Sequence, residues 1–156
     1  MKIGLLLISL TLLLSCGSPK IATVTEESGQ IPPGFGKDRS TLIGLGSSGI
    51  YNGHLKRKLK KYYPHDHVIV KSSDDLDKMY SDLDKYRYMF TLHYKSSNYV
   101  PNVNASPREN ISGSYAGSHF AVIDRKTNKM YRLKREGGLV YKNMAFYLKA
   151  LAAARQ

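Results

Sequence analysis

Three side chains capable of acid-base chemistry flank a long polar stretch, residues 96–118. His93 precedes this stretch, and His119 and Asp124 follow it. Imidazole and carboxylate groups act as general acids or bases when they lie within hydrogen-bonding reach of a substrate. Because loops of this length in small domains are often functional, one hypothesis is an enzyme with its site near residues 96–118.

No catalytic or metal-binding signature accompanies these groups. Ser47 and Ser48 lack the glycine offsets of a nucleophile elbow. The run His65-Asp66-His67 offers two imidazoles and a carboxylate, whereas a structural metal site usually has four ligands. We therefore assign no catalytic residue, no metal ligand and no cofactor, and we favour a protein that is not an enzyme.

A glycine motif follows the first predicted strand. Gly44, Gly46 and Gly49 have the spacing of a dinucleotide-binding turn. The position where an acidic side chain would hold the ribose, at the end of the second strand, is Lys71. We interpret the glycines as permitting a tight strand-to-helix turn, although amides at a helix start can also hold an anion.

The densest group of charges is a basic run in the first predicted helix, opposite Tyr51, Leu55 and Leu59. It comprises Lys56, Arg57, Lys58, Lys60 and Lys61. Three interpretations remain open for this run. It forms an ordinary solvated face, or it contacts anionic head groups or glycans, or nearby acidic residues compensate it. Those acidic residues belong to or adjoin the second predicted helix: Asp74, Asp75, Asp77, Asp82 and Asp84.

The N-terminus has the pattern of a bacterial export signal. Met1-Lys2 precedes an apolar run from Ile3 to Leu14 that is too short to cross a bilayer. The run ends in Leu13-Leu14-Ser15-Cys16, and Cys16 is the only cysteine. This tetrad resembles the lipobox of bacterial lipoproteins.

The resemblance implies that residues 1–15 are a signal peptide and that Cys16 is lipidated. In this family the cysteine thiol receives a diacylglycerol, and the amine freed by cleavage is acylated. Gly17 rather than an aspartate follows Cys16, which under enterobacterial-type sorting implies the outer membrane. The expected location is therefore the cell envelope, anchored by lipid and facing the periplasm or the cell surface.

The charge balance is strongly basic. The chain has 24 Lys and Arg against 12 Asp and Glu, a formal net charge of +12. In a cytosolic protein this excess would favour nucleic acid, but export removes that partner. The remaining polyanions are phospholipid head groups, lipopolysaccharide and cell-wall polymers. The alternative is that the charge serves only solubility and electrostatic steering.

The rest of the sequence predicts a tether and one domain. Residues 16–39 are rich in Pro, Gly and Ser and predict a flexible tether. Within residues 40–156, alternating and helical periodicities predict strands at 41–45, 67–71, 87–95, 119–124 and 130–134, and helices at 50–63, from 72 onward and from 140 onward. Ser72 and Asp75 have capping-box spacing, and Leu76, Met79, Tyr80 and Leu83 form the predicted apolar face of the second helix.

This order predicts an α/β (α+β) fold with a mixed sheet of four to five strands and about three helices. The element order loosely resembles small α/β domains of envelope lipoproteins, including the anticodon-binding-like type. The leading functional hypothesis is an outer-membrane lipoprotein that acts as a non-enzymatic binding or assembly factor. Its expected partners are the membrane, through the lipid, and an envelope protein or an anionic glycan or lipid. The alternative is an envelope enzyme with its site near residues 96–118.

Overall fold

The computed structural model describes residues 23–94, 118–135 and 139–155. Within these ranges the elements are β1 (Leu42–Leu45), α1 (Gly49–Tyr62), β2 (His67–Val70), α2 (Asp74–Met79), β3 (Tyr88–Tyr94), β4 (Ser118–Asp124), β5 (Lys129–Arg132) and α3 (Val140–Ala153). Cys16 and all but the last residue of the predicted 96–118 loop lie outside the described residues, so the predictions about them stay predictions.

The strands form one mixed sheet in the order β2-β1-β3-β4-β5. β1 pairs in parallel with β2 and with β3, whereas β3–β4 and β4–β5 pair antiparallel. The predicted α/β fold with a mixed sheet and three helices is therefore confirmed. β4 and β5 form a hairpin, with its turn at residues 125–128.

The helices divide between the two faces of the sheet. The β1–α1–β2 connection moves toward one edge, and the β2–α2–β3 connection returns across β1. Because such crossovers share one handedness, a reversal of direction places the connecting helix on the other face. α1 and α3 accordingly pack on one face, and Leu76 of α2 packs on the other. We call α1 and α3 the helix layer.

The prediction of a flexible tether is wrong for residues 23–39. Val24, Ile31 and Phe35 are buried in the same core cluster as the helix layer. The backbone of Gly36 approaches Ala154 so closely that a Cβ atom there would collide with the carbonyl of Ala154. The composition suggested a linker, but three apolar side chains at irregular spacing have no period that marks them as core.

Local turns and polar side chains hold the backbone of this segment. Gly29 and Gly34 have positive φ angles of 69° and 75°, which glycine adopts without strain. The Gln30 side chain donates to the Thr23 carbonyl and accepts from the Lys134 amide. The packed unit therefore begins before Ser40, the predicted domain boundary.

The second helix is shorter than predicted. It ends at Met79, and Met79 and Leu83 are exposed rather than part of an apolar face. The Asp82 carboxylate accepts hydrogen bonds from the amides of Asp84 and Lys85, which favours a turn over helix continuation. The predicted capping box is also wrong, because Ser73 is the N-cap and has no side-chain capping bond.

Among the described residues, no helix combines the length and apolar character needed to cross a bilayer.

Candidate functional site

The basic run of α1 lies on the side of the helix that faces away from the core. Tyr51, Leu55 and Leu59 are buried, and Ser48 caps the helix start by accepting from the Tyr51 amide. Four of the five basic residues are exposed and Lys58 is half-buried. At the end of the helix, Tyr63 is fully buried and Tyr62 is half-buried.

α3 lies beside α1 and runs parallel to it. The rings of His54 and Tyr141 stack with centroids 3.6 Å apart, and Lys149 Nζ lies 4.9 Å from the centroid of Tyr62. Nε2 of His65 lies 3.3 Å from the carbonyl oxygen of Ala152. Each contact joins residues 87 positions apart, so the two helices keep one register and start at the same end.

Tyr62 is the centre of a cluster of ammonium groups. Lys58, Lys61 and Lys149 place their Nζ atoms 5.2, 5.3 and 4.9 Å from its ring centroid. Such cation–π contacts partly compensate the mutual repulsion of the three charges. The result is a concentrated positive surface that the aromatic ring helps to hold in place.

The helix layer contains no acidic residue. Apart from Asn52, His54 and Asn143, the sequences of α1 and α3 hold Lys, Arg, Tyr and small or apolar residues, and they hold no Asp or Glu. Among the described residues, ion pairs join Arg87 to Asp38 and Asp124 and join Lys126 to Asp84, and none reaches α1 or α3. Within the described part of the chain, no carboxylate therefore forms an ion pair with a basic residue of this layer, although Glu26 and Glu27 lie beside the C-terminal end of α3.

The third interpretation of the basic run, compensation by the acidic second helix, is wrong. It required the two helices to be neighbours on one side of the sheet. α1 belongs to the cluster on one face, and Leu76 of α2 to the cluster on the other. The five acidic residues from Asp74 to Asp84 thus lie across the sheet from the basic run.

The candidate catalytic residues do not all come together. His93 and His119 are cross-strand partners, and their ring centroids lie 5.1 Å apart. Asp124 is five residues further along β4, about 17 Å away at the usual strand rise. The paired register places Asp124 opposite Tyr88, at the other end of β3. The two histidines can cooperate with each other but not with Asp124.

Asp124 is committed to an ion pair. Its oxygens accept from Nε and Nη2 of Arg87 at 3.1 and 2.7 Å, and from the Lys126 amide at 3.1 Å. Burial alone would raise the pKa of Asp124, but the hydrogen bonds and charge of Arg87, with other local bonds, outweigh it and lower the pKa. Arg87 also lies 3.6 Å from Asp38, so this group ties the segment before β1 to the hairpin.

Burial and the charge of Arg132 lower the pKa of His93. Burial disfavours the imidazolium form, so the folded state holds this ring neutral to a lower pH than the unfolded chain does. A neutral imidazole can accept a proton from a reacting group. The described residues bring no carboxylate of β4 or β5 beside it to orient the ring.

The glycine motif packs the helix on the strand and leaves no phosphate cradle. A Cβ on Gly44 would lie 2.8 Å from Leu59 Cδ1, and one on Gly46 would collide with the Asn52 side chain. Asn52 Oδ1 accepts from the Ser47 amide at 3.0 Å, which occupies a donor that a phosphate would need. None of the three glycines has a positive φ, so close approach rather than turn conformation requires Gly44 and Gly46.

The rings of His65 and His67 are directed to backbone carbonyls. His67 Nδ1 lies 2.8 Å from the His65 oxygen, and His65 Nε2 contacts Ala152. Both rings also pack edge-on against Tyr63. In the described ranges, no group of three or more His, Cys, Asp or Glu side chains is arranged to hold a metal ion.

Sequence reasoning missed the contribution of α3. Tyr141, Lys142 and Lys149 extend the positive surface beyond the basic run, and their spacing alone gave no sign that α3 lies beside α1. The absence of acidic residues from both helices was visible in the sequence, and it is the feature by which α3 could have been grouped with α1.

No protein-family model, curated protein or solved structure matches this chain.

Proposed function

We propose that this protein is a lipid-anchored lipoprotein of the bacterial outer membrane that binds a polyanion through its helix layer and has no catalytic activity. The observation that carries the proposal is the acid-free outer surface of α1 and α3, which combines the basic run with Lys142 and Lys149. The lipobox resemblance at Cys16 supports the location, and a domain anchored there would meet phosphate-rich lipids and glycans.

The length of chain before the packed unit fits a short anchor. Cys16 and Thr23 are seven positions apart in the sequence, and seven residues span at most about 25 Å when extended. The packing of residues 23–39 therefore leaves a much shorter tether than the composition suggested. Such an anchor keeps the domain close to the lipid surface, where a positive layer meets anionic groups.

The location is tested by Cys16→Ser in cells. We expect loss of processing or release from the membrane fraction, because more than one acyl chain is needed for stable anchoring. Mass spectrometry of the mature N-terminus should find a lipidated Cys16. An unmodified Cys16, or cleavage at another site, contradicts the proposal.

The binding is tested with the chain from residue 16 to residue 156 carrying Cys16→Ser, which contains every described residue. We expect it to bind lipopolysaccharide, with affinity that falls as salt rises, because exposed charges are screened beyond about 8 Å at physiological ionic strength. Reversal of Arg57, Lys60 and Lys61 to Glu should abolish binding. The matched control reverses Lys78, Lys129 and Lys134, which are exposed outside the helix layer, and should retain most of it.

The alternative, an envelope enzyme, is favoured by one observation, the cross-strand contact of His93 and His119. It needs a carboxylate or substrate group that Asp124 cannot supply from the far end of β4. A hydrolytic activity that His93→Gln abolishes, in a chain that binds no polyanion, would support this alternative over the binding role.

A further inference from the structure

A stripe of residues, exposed except for the half-buried His54, runs along α1 where it meets α3. Ile50, His54, Arg57 and Lys61 are spaced at i, i+4, i+7 and i+11, which places them on one side of the helix. Tyr141 stacks on His54, and Lys149 approaches Tyr62 from α3. We call the surface formed by these six residues, Ile50, His54, Arg57, Lys61, Tyr141 and Lys149, the seam.

One end of the seam is apolar. Ile50 is 76% exposed and Leu139, the residue before α3, is 64% exposed. Because α1 and α3 are parallel in register, Gly49 and Val140 begin the two helices at the same end, so Ile50 and Leu139 belong to that end. Two other large apolar side chains are exposed among the described residues. They are Met79, the last residue of α2, and Leu83, in the segment after it, and α2 packs on the opposite face of the sheet.

We propose that the seam lies on the surface of an anionic phospholipid bilayer, with Ile50 and Leu139 inserted at the head-group boundary and the basic residues on lipid phosphates. This inference rests on the proposed function and names the polyanion that the helix layer meets. The lipid anchor supplies the membrane, and the seam fixes which side of the domain faces it.

A bilayer explains two features that a soluble polyanion leaves unexplained, namely the exposed apolar side chains at one end and the amphipathic rings beside them. A glycan or polyphosphate offers negative charge but no apolar layer for Ile50 and Leu139. A membrane interface offers both, and amphipathic rings such as Tyr62 and Tyr141 favour the boundary between them. The acid-free surface is also required, since a carboxylate on the seam would repel the head groups.

The anchor length is consistent with this orientation. If Cys16 carries the lipid, Thr23 lies within about 25 Å of the membrane even when the intervening chain is extended. The domain then explores only the space next to the bilayer. A weak surface contact is strongly favoured under that restriction, because a short linker produces a high effective concentration.

The chain contains no tryptophan, so single tryptophans report insertion without background. Ile50→Trp and Leu139→Trp are placed in the Cys16→Ser chain, with Met79→Trp as a matched exposed control on the other face. Vesicles of phosphatidylcholine with phosphatidylglycerol should shift the emission of the first two to shorter wavelength, and brominated lipids should quench them. The Met79→Trp emission should stay unchanged. Equal responses from all three, or none, overturn the orientation.

Three double variants separate the apolar contribution to vesicle binding from the electrostatic one. Ile50→Ser with Leu139→Ser should weaken vesicle binding at least tenfold, since each buried methylene contributes roughly fourfold, and should leave binding to soluble inorganic polyphosphate unchanged. Met79→Ser with Leu83→Ser should change neither. Arg57→Glu with Lys61→Glu should weaken both, by at least about twenty-fivefold for vesicles, at about fivefold per basic residue lost.

The outcomes distinguish this inference from the proposed function. Binding to polyphosphate and lipopolysaccharide without binding to phospholipid vesicles overturns the bilayer contact and leaves the polyanion role intact. Vesicle binding that the serine variants do not weaken overturns the insertion of Ile50 and Leu139. Failure to bind any of these anions overturns both.

Discussion

The sheet face beneath the helix layer contacts a core of eighteen buried residues, whereas the face beneath α2 contacts a core of five, counted among the described residues. The charges differ in the same way. α1 and α3 carry only basic charges, and residues 74–86 carry five aspartates against two lysines. Most of the buried apolar surface therefore lies on the side that also carries the positive layer.

If the proposed binding role is correct, stability and binding depend on opposite sides of the same two helices. Leu55 and Leu59 face the sheet, and Arg57 and Lys61 face away from it. Charge substitutions on the outer side should leave the core intact. Substitutions in the core should destabilise the domain and have no specific effect on anion binding. The following predictions test that separation.

The largest expected effect is on the helix-layer side, at Phe35. Its ring is fully buried and lies 4.9 Å from that of Tyr88. Phe35→Ala should lower the free energy of unfolding by about 3–5 kcal/mol, as measured by urea denaturation. The control Met79→Ala, at a 66% exposed position beside the smaller core, should change it by less than about 0.5 kcal/mol. Equal effects would show that residues 23–39 do not belong to the core.

The next effect concerns two neighbouring residues that serve opposite faces. Asp124 bonds Arg87, whereas Arg125 donates to the carbonyls of Tyr80 and Tyr86 beside the α2 core. Asp124→Asn should cost about 1.5–3 kcal/mol, because a buried charge-assisted hydrogen bond is lost. The pKa of Asp124 is lowered in the folded state, so its contribution is present above the unfolded value near pH 4 and is lost as pH falls through the folded value.

Urea unfolding at a series of pH values checks this acid dependence. Asp124→Asn should flatten the decline in stability below about pH 4. Arg125→Met should reduce stability at all pH values and keep the decline, because a guanidinium does not titrate there. If the loss of stability below about pH 4 is as large in Asp124→Asn as in the original chain, other carboxylates cause it.

A smaller effect is expected where α1 approaches the sheet. Gly44→Ala would place a methyl group 2.8 Å from Leu59 Cδ1 and 3.3 Å from Leu55 Cδ2. We expect a loss of about 1–3 kcal/mol from overpacking. Gly53→Ala is the matched control, because nothing lies within 4 Å of its added carbon, and it should raise stability by up to about 1 kcal/mol. A neutral Gly44→Ala would mean that α1 can move away from β1 without cost.

Periodicity predicted most of the fold, because the core depends on regular elements. The strand from Tyr88 to Tyr94 and the helix containing Leu55 and Leu59 were recognisable from alternation and from 3.6-residue spacing. The packing of Val24, Ile31 and Phe35 was not, since an irregular segment buries side chains through turns that have no period. α2 was overextended because Met79 and Leu83 fit a helical period, while the Asp82 turn that ends the helix depends on local hydrogen bonds.

The candidate site was predictable only in part for a related reason. The basic run of α1 is contiguous in the sequence, so it was found. In the seam, His54 contacts Tyr141, which is far along the chain, and only the three-dimensional packing brings Tyr141 and Lys149 to it. The separation of Asp124 from His93 and His119 likewise depends on strand register, which the residue types alone do not specify.

The smallest expected effect lies on the sheet face that α2 covers, where His93 shares the face of Met89 and Ile123. Burial and Arg132 lower the pKa of His93, so the unfolded chain binds its proton first as the pH falls. The contribution of His93 to stability is therefore complete above about pH 6.5 and declines below it, by at most about 1.4 kcal/mol per pH unit.

His93→Gln should remove that decline and keep the separate decline near pH 4 that depends on Asp124. Arg132→Gln should narrow the pH range over which stability declines, because the loss of a nearby positive charge lets the pKa of His93 in the folded state rise. Superimposable profiles of the original chain and His93→Gln between pH 7 and pH 5 would show that burial on this face does not restrict protonation, and that the smaller core is open to water at β3.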